Sequence, residues 1–303
     1  MLDIVGKKYF YFLFSALIII PGILSLIFWG LRLGIDFTGG SLLEVRIEKQ
    51  PSKEDIVATV KQGGVEVSLV SATNNSFLIR TKPLTDKETE GVFKSLEEKF
   101  GKVEKLRLET VGPTIGAELL RKSLIALVLA SIGIVIYITF AFREVPQPAS
   151  PLRFGICAII ALLHDVFLVI GTFSLLGRFL GVEVDSLFVT ALLTIIGFSV
   201  HDTIVVFDRI RENLKRRVST SFATVVNHSI MQTIVRSLNT SLTVVLVLLS
   251  LALFGGTSIR WFVIALLIGV ISGTYSSIFN AAPLLVLWQE WSEKRKGSAK
   301  SQK

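Results

Sequence analysis

The residues of this chain best suited to chemistry are His201 and Asp202, which stand side by side in the run SVHDTIVVFDRIREN, Ser199–Asn213. The run begins within a stretch apolar enough to cross a membrane and ends in charged residues. A carboxylate at the centre of a membrane span costs about 2.5–3.5 kcal/mol on insertion scales, so an ionisable pair there usually marks a proton or ion pathway. The pattern therefore favours a proton or ion site, with a buried structural pair as the alternative.

Asp202 is the first candidate for that site, because it lies about five residues, or about 7–8 Å of helix rise, from the end of its apolar run near Phe207. Desolvation favours the neutral acid and a neighbouring cation favours the carboxylate, so a changing distance to a cation would make Asp202 bind or release a proton. Arg236, at the mouth of a later apolar run, is the natural cation. The alternatives are a permanently paired carboxylate and an arginine that only snorkels to the surface.

A second pair, His164 and Asp165, lies near the middle of another apolar run, where burial of charge costs still more. The pair forms either a proton wire with a neighbouring span or hydrogen bonds that fix helix packing, and the sequence leaves both open. No H-E-x-x-H, H-x-x-E-H or G-x-x-x-x-G-K-[ST] motif occurs. We therefore expect no metal, no cofactor and no enzymatic activity.

His201 also has two interpretations. Histidine titrates near physiological pH and can join a proton relay, or it can serve as a neutral hydrogen-bonding group. Its helix face is small and polar, because at about 100° per residue that face is shared by Thr190, Thr194, Gly197, His201 and Asp208. Such a stripe is suited to meet another helix or a water-filled crevice.

The run GIDFTGG follows the first apolar run. Gly34, Gly39 and Gly40 permit backbone conformations closed to other residues, which suits a tight junction between a membrane span and a folded domain. Asp36 either caps a turn, which we favour, or gates proton entry at the outer membrane surface.

Two further groups of residues have simpler interpretations. Charged residues after the fourth apolar run predict a solvated amphipathic turn on the cytoplasmic side, with contact to a partner as the alternative: Asp208, Arg209, Arg211 and Glu212. Small residues in the last apolar run predict a close-packed helix face rather than a ligand site: Gly269, Ser272, Gly273, Ser276 and Ser277.

The composition indicates the class of protein that contains these residues. Hydrophobic residues make up 51% of the 303 residues and the mean hydropathy is +0.64, which is too apolar for a soluble fold of this size and suits a polytopic membrane protein. The net charge of +8 lies mainly in loops beside apolar runs, so we expect membrane lipid and no nucleic acid as a partner. The single cysteine, Cys157, excludes an intramolecular disulfide.

Six runs have the length of about 20 residues that a membrane helix needs. They are approximately Tyr9–Leu31, Leu124–Phe142, Leu152–Leu176, Leu187–Phe207, Leu238–Phe254 and Trp261–Trp288. Short loops on one side carry most of the Lys and Arg, against Arg178 and Arg260 on the other, so both termini are expected in the cytoplasm. The predicted parts are the N-terminus with the first span (1–31), a periplasmic domain (32–120), a five-helix bundle (121–292) and a basic cytoplasmic tail (293–303).

The periplasmic loop has the pattern of a small α/β domain. Capping signals begin two helices, one at Ser52 with Asp55 and one at Thr85 with Glu88. A turn at Asn74-Asn75 separates two strands. The predicted strands are Leu42–Ile47, Val65–Val70, Phe77–Arg80 and Val103–Glu109. The order β-α-β-β-α-β predicts a ferredoxin-like antiparallel sheet with both helices on one face.

Taken together, GIDFTGG and SVHDTIVVFDRIREN resemble the SecF family of the bacterial SecD–SecF protein-export complex. Weaker pieces agree in the same order along nearly the whole chain: VGPTIGAELL (Val111–Leu120), ALLHDV (Ala161–Val166), RSLNTSLT (Arg236–Thr243) and GTYSSIFNAAP (Gly273–Pro283). SecF resembles half of the resistance-nodulation-division exporters, in which two six-span halves pair. In that family the residues matching Asp202 and Arg236 are regarded as functional. An Asn more often stands where this chain has His201, which leaves the role of that histidine open.

The resemblance implies a subunit of the bacterial inner membrane in which the proton-motive force drives a conformational cycle. With SecD as partner, the periplasmic domains help to draw a translocating polypeptide outward after its passage through the SecYEG channel, without ATP. Two other functions remain open: a homodimeric small-molecule exporter of the same superfamily, and a passive scaffold in which Asp202 is dispensable.

Overall fold

The computed structural model describes residues 2–73, 76–147 and 149–300. The predicted turn at Asn74-Asn75 and the last three residues of the basic tail lie outside the described residues. The helices in chain order are α1 (Lys8–Trp29), α2 (Ile35–Thr38), α3 (Lys53–Gln62), α4 (Asp86–Phe100), α5 (Pro113–Ala141), α6 (Pro151–Leu180), α7 (Ser186–Lys215), α8 (Phe222–Phe254), α9 (Arg260–Ser276) and α10 (Ala282–Lys300). The strands are β1 (Gly40–Ile47), β2 (Val67–Thr73), β3 (Ser76–Thr81) and β4 (Val103–Val111).

Among the described residues, six helical segments are long and apolar enough to cross a membrane: α1, α5, α6, α7, α8 and the α9–α10 segment from Arg260 to Arg295. The prediction of a polytopic helical protein with six spans is confirmed. Several helices extend beyond the apolar runs. Helix α5 begins at Pro113, ahead of the run that starts at Leu124, because proline is well suited to the first turn of a helix.

The chain divides into two compact units. The helical unit contains the chain up to Leu31, Ala126–Val182 and the chain from Leu187 onward. The α/β unit contains Arg32–Ile125 and also Glu183–Ser186, which comprises the end of the connection between α6 and α7 and the first residue of α7. The second unit therefore includes a segment that lies far from the rest of it in sequence.

The α/β unit is a four-stranded antiparallel sheet in the order β2-β3-β1-β4. This order places β1 and β3 in the centre, as the split βαβ pattern predicts. In the register, Leu43 lies opposite Ile79 on β3 and Leu108 on β4. Leu43 and Ile79 are fully buried with Ile56 of α3 and Leu96 of α4, so both helices belong to the same small core.

The predicted caps begin the two helices of this unit. The Ser52 hydroxyl accepts a hydrogen bond from the Asp55 N–H at 3.1 Å. Thr85 and Glu88 form a reciprocal capping box, in which the Thr85 N–H donates to Glu88 Oε2 at 2.8 Å. Hydrogen bonds from the Thr85 backbone and then from its hydroxyl hold the pKa of Glu88 below its usual value.

Small residues allow close helix contacts in the helical unit. Helices α1 and α6 cross at Gly22 and Gly171, where a Cβ placed on Gly22 would lie 3.0 Å from the Gly171 Cα. Helices α7 and α9 approach at Gly273, where an added Cβ would lie 3.0 Å from the Ser199 Cβ. These contacts fix α9 against α7, and both helices carry the polar residues described next.

Candidate functional site

Asp202 projects from α7 into the helical unit, where it is 2% exposed. Its Oδ2 lies 3.3 Å from the Thr274 hydroxyl of α9 and 3.4 Å from the Ser241 hydroxyl of α8, and either hydroxyl can donate to it. Both distances are long for O–H···O contacts, which normally measure about 2.7–2.8 Å. The two hydroxyls lie 2.5 Å from each other, and the one that donates its single proton across this short contact cannot also donate to Asp202. Asp202 is therefore buried but weakly held.

Arg236 does not pair with Asp202 in this structure. Its side chain is exposed, and no carboxylate among the described residues lies within ion-pair distance of it. Arg236 stands five positions before Ser241 on α8, which corresponds to about 7.5 Å of helix rise. Between them, the buried Ser237 hydroxyl has no hydrogen-bond partner among the described residues and lies one turn before Ser241 on the same face.

His201 points to a different side of α7 from Asp202. The side chain of His201 is exposed, whereas Asp202 is buried. The whole predicted stripe on this helix face is exposed: Thr190, Thr194, Gly197, His201 and Asp208. A small, polar helix face thus remains uncovered within a segment long enough to span a membrane.

Asp165 on α6 has a much more complete set of partners. It is 0% exposed. Four donors surround its two oxygens: Ser199 Oγ at 2.5 Å, Ser272 Oγ at 2.6 Å, Ser276 Oγ at 2.7 Å and His164 Nδ1 at 2.9 Å. These donors come from α6, α7 and α9, so one carboxylate joins three helices.

His164 contacts Asp165 through one ring nitrogen only. Its Nε2 is buried and has no hydrogen-bond partner among the described residues. The ring stacks on Tyr275, with 6.2 Å between the centroids. The Tyr275 hydroxyl donates at 2.9 Å to the carbonyl oxygen of Tyr11 on α1. His164 is thus held between an acid and an aromatic ring.

Helix α9 binds both acids. Ser272 and Ser276 donate to Asp165, and Thr274, which lies between them in sequence, donates to Asp202. The sequence indicated close packing for these serines, and their role as hydrogen-bond donors was missed. One feature of the sequence could have indicated this role. Ser272 and Ser276 are one helical turn apart, so they share a face, and their segment had to pack beside two buried acids.

A π turn, Ser277–Ala281, separates α9 from α10. It allows the neighbouring Ser276 and Ser277 both to be fully buried while they bind different partners. Ser277 Oγ lies 2.8 Å from the Thr203 hydroxyl of α7. Turns of this kind are frequent at functional sites in helices.

The glycines of GIDFTGG allow close backbone approaches in the α/β unit. Gly39 and Gly40 have φ angles of 73° and 129°, which disfavour other residues. A Cβ on Gly40 would lie 2.7 Å from the Thr81 carbonyl oxygen. Asp36 accepts hydrogen bonds from the Ser186 N–H at 2.9 Å and from its hydroxyl at 2.5 Å, so it caps the first residue of α7.

The charged residues near the end of α7 bind one another. Arg211 pairs with Asp208 at 2.5 Å, and Arg209 pairs with Glu212 at 2.6 Å. These side chains are between about a third and half exposed. In the part of the chain that the structure describes, no group of three or more His, Cys, Asp or Glu side chains is placed to hold a metal ion.

Comparison with known proteins identifies the family. The model of the C-terminal region of SecD/SecF protein export membrane proteins matches residues 92–291, and the SecD/SecF GG motif model matches residues 25–51. The protein translocase subunit SecF of Thermobaculum terrenum is 51% identical, over 95% of this chain and 94% of that protein. The chain belongs to the SecF family. The SecF of Anaerolinea thermophila is 46% identical over 99% of both chains.

Solved structures of SecDF resemble this SecF-family chain. The crystal structure of SecDF, a translocon-associated membrane protein from Thermus thermophilus, is 34% identical and superposes with a TM-score of 0.83. SecDF in its super-membrane-facing form is 32% identical, with a TM-score of 0.71. The matches cover 95% and 98% of this chain but only 39% and 40% of those chains. A SecF-family chain thus corresponds to about two-fifths of a SecDF chain.

Proposed function

We propose that this chain is the SecF subunit of a bacterial protein translocase, and that proton binding and release at Asp202 drives a conformational cycle that assists late steps of export. The observation that carries the proposal is the weak hold on a deeply buried acid. Asp202 is 2% exposed, yet its two hydroxyl contacts measure 3.3 and 3.4 Å. Ionisable residues inside membrane segments are costly and are usually functional.

The surroundings of Asp202 suit a change of charge. The Thr274 and Ser241 hydroxyls are close enough to bond to each other, so either can turn toward or away from Asp202. The neutral acid is favoured while Arg236 stays away, and the carboxylate is favoured when a cation approaches. The buried Ser237 hydroxyl, for which the described part of the chain offers no hydrogen-bond partner, lies on α8 between the arginine and this pair, and it marks a polar route between them.

SecD is the proposed partner. A membrane helix that exposes the stripe containing Thr194, Gly197 and His201 requires a neighbouring helix or water, because polar groups are poorly accommodated in lipid. The SecDF of Bacillus subtilis is 38% identical over 95% of this chain, which covers 38% of that protein. Fusion in such relatives supports a pairing in which SecD supplies the remaining spans.

The proposed orientation places both termini in the cytoplasm, the α/β unit in the periplasm and the spans in the inner membrane. It rests on the excess of Lys and Arg in the loops on one side. In this orientation the α/β unit lies where a translocating polypeptide leaves the SecYEG channel. A substrate at that point is drawn outward by motion of the unit, and no nucleotide is consumed.

The deciding experiment replaces Asp202 with Asn in the SecD-containing complex and follows secretion of a periplasmic reporter. We expect the export rate to fall by about tenfold, which corresponds to about 1.4 kcal/mol in the barrier. Asp86→Asn is the matched control, because it makes the same chemical change at an exposed position outside the helical unit. Unaltered secretion by Asp202→Asn in an intact complex would reject proton coupling at this site and favour a passive scaffold.

Purification separates the proposal from the homodimeric exporter. A stable heteromer with a SecD-like chain is expected, since the chain covers nearly the full length of its SecF relatives and only two-fifths of the SecDF chains. A functional homodimer without SecD would favour small-molecule export instead.

A further inference from the structure

The end of the connection between α6 and α7 is built into the α/β unit. Glu183, Val184 and Asp185 of the connection cluster with that unit, together with Ser186, the first residue of α7. Leu33 and Val184 form a parallel bridge. The Gly34 N–H donates to the Val184 carbonyl oxygen at 2.8 Å, and the Val184 N–H donates to the Arg32 carbonyl oxygen at 2.8 Å. The connection is thus paired through its backbone with the segment that leads into β1.

Arg80 of β3 holds the same connection through its side chain. One guanidinium nitrogen donates to Glu183 Oε1 at 2.9 Å and to the Leu33 carbonyl oxygen at 3.1 Å. The other donates to the Thr38 hydroxyl. The fixed fork of arginine suits three acceptors arranged in this way, and lysine cannot reproduce it. Arg80 therefore links the sheet, the GIDFTGG run and the α6–α7 connection.

The environment of this ion pair distinguishes it from an ordinary surface pair. The Arg80 and Glu183 side chains are 15% and 22% exposed, whereas Arg46 and Glu104, which pair elsewhere in the same sheet at 2.8 Å, are 48% and 55% exposed. Exposed pairs contribute little, because water and salt screen them. Partial burial makes the Arg80–Glu183 pair the stronger of the two.

Asp36 extends this attachment to the helix itself. It accepts both the N–H and the hydroxyl of Ser186, the first residue of α7. Charged acceptors at a helix start stabilise it through the unpaired N–H groups and the helix dipole. Asp202 lies farther along the same unbroken helix.

We propose that Arg80 and Asp36 are positioning residues that fasten the α/β unit to the start of α7, so that movement of the unit and the charge state of Asp202 are mechanically coupled. This inference rests on the proposed function of Asp202. It assigns a role in coupling to a side chain of the sheet.

The test uses Arg80→Gln in the complete SecD-containing complex, with Arg46→Gln as the matched control and Arg80→Lys as the variant that retains charge. Hydrogen exchange reports on the attachment through the Val184 and Gly34 amides. In Arg80→Gln we expect these amides to exchange about tenfold faster, because charge-assisted hydrogen bonds to the connection are lost. Export of the periplasmic reporter should fall at least about threefold, with Arg80→Lys intermediate and Arg46→Gln unchanged in both measurements.

Three results would overturn the inference. These are unchanged amide exchange in Arg80→Gln, faster exchange with normal export, and equal export defects in Arg80→Gln and Arg46→Gln. Failure of the proposed function is recognised separately by Asp202→Asn. If Asp202→Asn exports normally while Arg80→Gln does not, the attachment serves export without proton coupling at Asp202, and the inference in the form stated here is wrong.

Discussion

Asp165 and Asp202 are both buried in helices long enough to span a membrane, but their surroundings differ. Four donors lie 2.5–2.9 Å from the oxygens of Asp165, whereas two hydroxyls lie 3.3 and 3.4 Å from one oxygen of Asp202. A carboxylate whose acceptor sites are filled by donors from several helices is fixed in place and holds those helices together. Burial alone therefore does not identify a working acid. Under the proposal made above for Asp202, the number and length of the hydrogen bonds distinguish a structural acid from one that binds and releases a proton.

The largest expected effect tests whether Asp165 stabilises the helical unit. Asp165→Ala removes the common acceptor of three serines and His164, and we expect the helical unit to lose about 2–4 kcal/mol of unfolding free energy. Unfolding in detergent measures this loss. Ser272→Ala, which removes one of the four donors, is the control and should cost about 1 kcal/mol or less. Equal stability of Asp165→Ala and the unchanged protein would contradict a structural role.

The second prediction concerns the stability of Asp202→Asn. Because the hydrogen bonds to Asp202 are long, an amide in its place should leave the unfolding free energy within about 1 kcal/mol of the original value. Unfolding in detergent, measured as for Asp165→Ala, compares the free energies of unfolding of the two variants directly. A loss as large as that of Asp165→Ala would remove the distinction between the two acids.

A smaller effect is expected for His164→Phe. The substitution removes one of the four groups that bind Asp165. It also removes the buried Nε2, which has no hydrogen-bond partner within the described ranges, and phenylalanine can retain the stacking on Tyr275. We expect a stability change of about 1 kcal/mol or less. Export measured between about pH 6 and 8, the range in which histidine titrates, examines the proton-wire interpretation. A changed pH profile in this variant would favour the wire over a packing role.

The smallest effect is expected for an acid outside the membrane segments. The pKa of Glu88 is lowered in the folded α/β unit, so its stabilising contribution is present above the unfolded pKa and is lost as the pH falls through the folded pKa. Glu88→Gln should therefore slightly reduce the stability of this unit near neutral pH, with the difference vanishing in acid. Thermal unfolding across about pH 3–7 measures it. Export should not change, and a defect as large as that of Asp202→Asn would weaken the assignment to Asp202.

Much of the architecture is predictable from the sequence, since apolar length determines membrane helices and capping signals determine where small helices begin. The first capping signal, Ser52 with Asp55, and the second, Thr85 with Glu88, both lie at helix starts in the structure. The strand order follows from the β-α-β-β-α-β pattern. These features depend on local sequence, which explains why they were predictable.

The hydrogen bonds around the acids were not predictable in the same way. Asp165 takes donors from residues more than thirty and more than one hundred positions away, including Ser199 and Ser276. A serine in an apolar helix equally suits close packing, so its type alone does not indicate a donor. The attachment of Glu183 to Arg80 was missed for the same reason, because nothing in the short α6–α7 connection indicates its partner.

The π turn at Ser277–Ala281 has a consequence for how the last membrane segment tolerates change. It adds one residue to a helical turn, so the two halves of the segment are out of phase. Upstream, Ser276 faces Asp165; downstream, Glu290 pairs with Lys8 at 2.6 Å. Regular α-helical winding of the same residues would rotate α10 by about 100°, which would turn Glu290 away from the start of α1. The π turn therefore lets the same segment direct Ser276 toward Asp165 and Glu290 toward Lys8, which a uniform helix could not do at once.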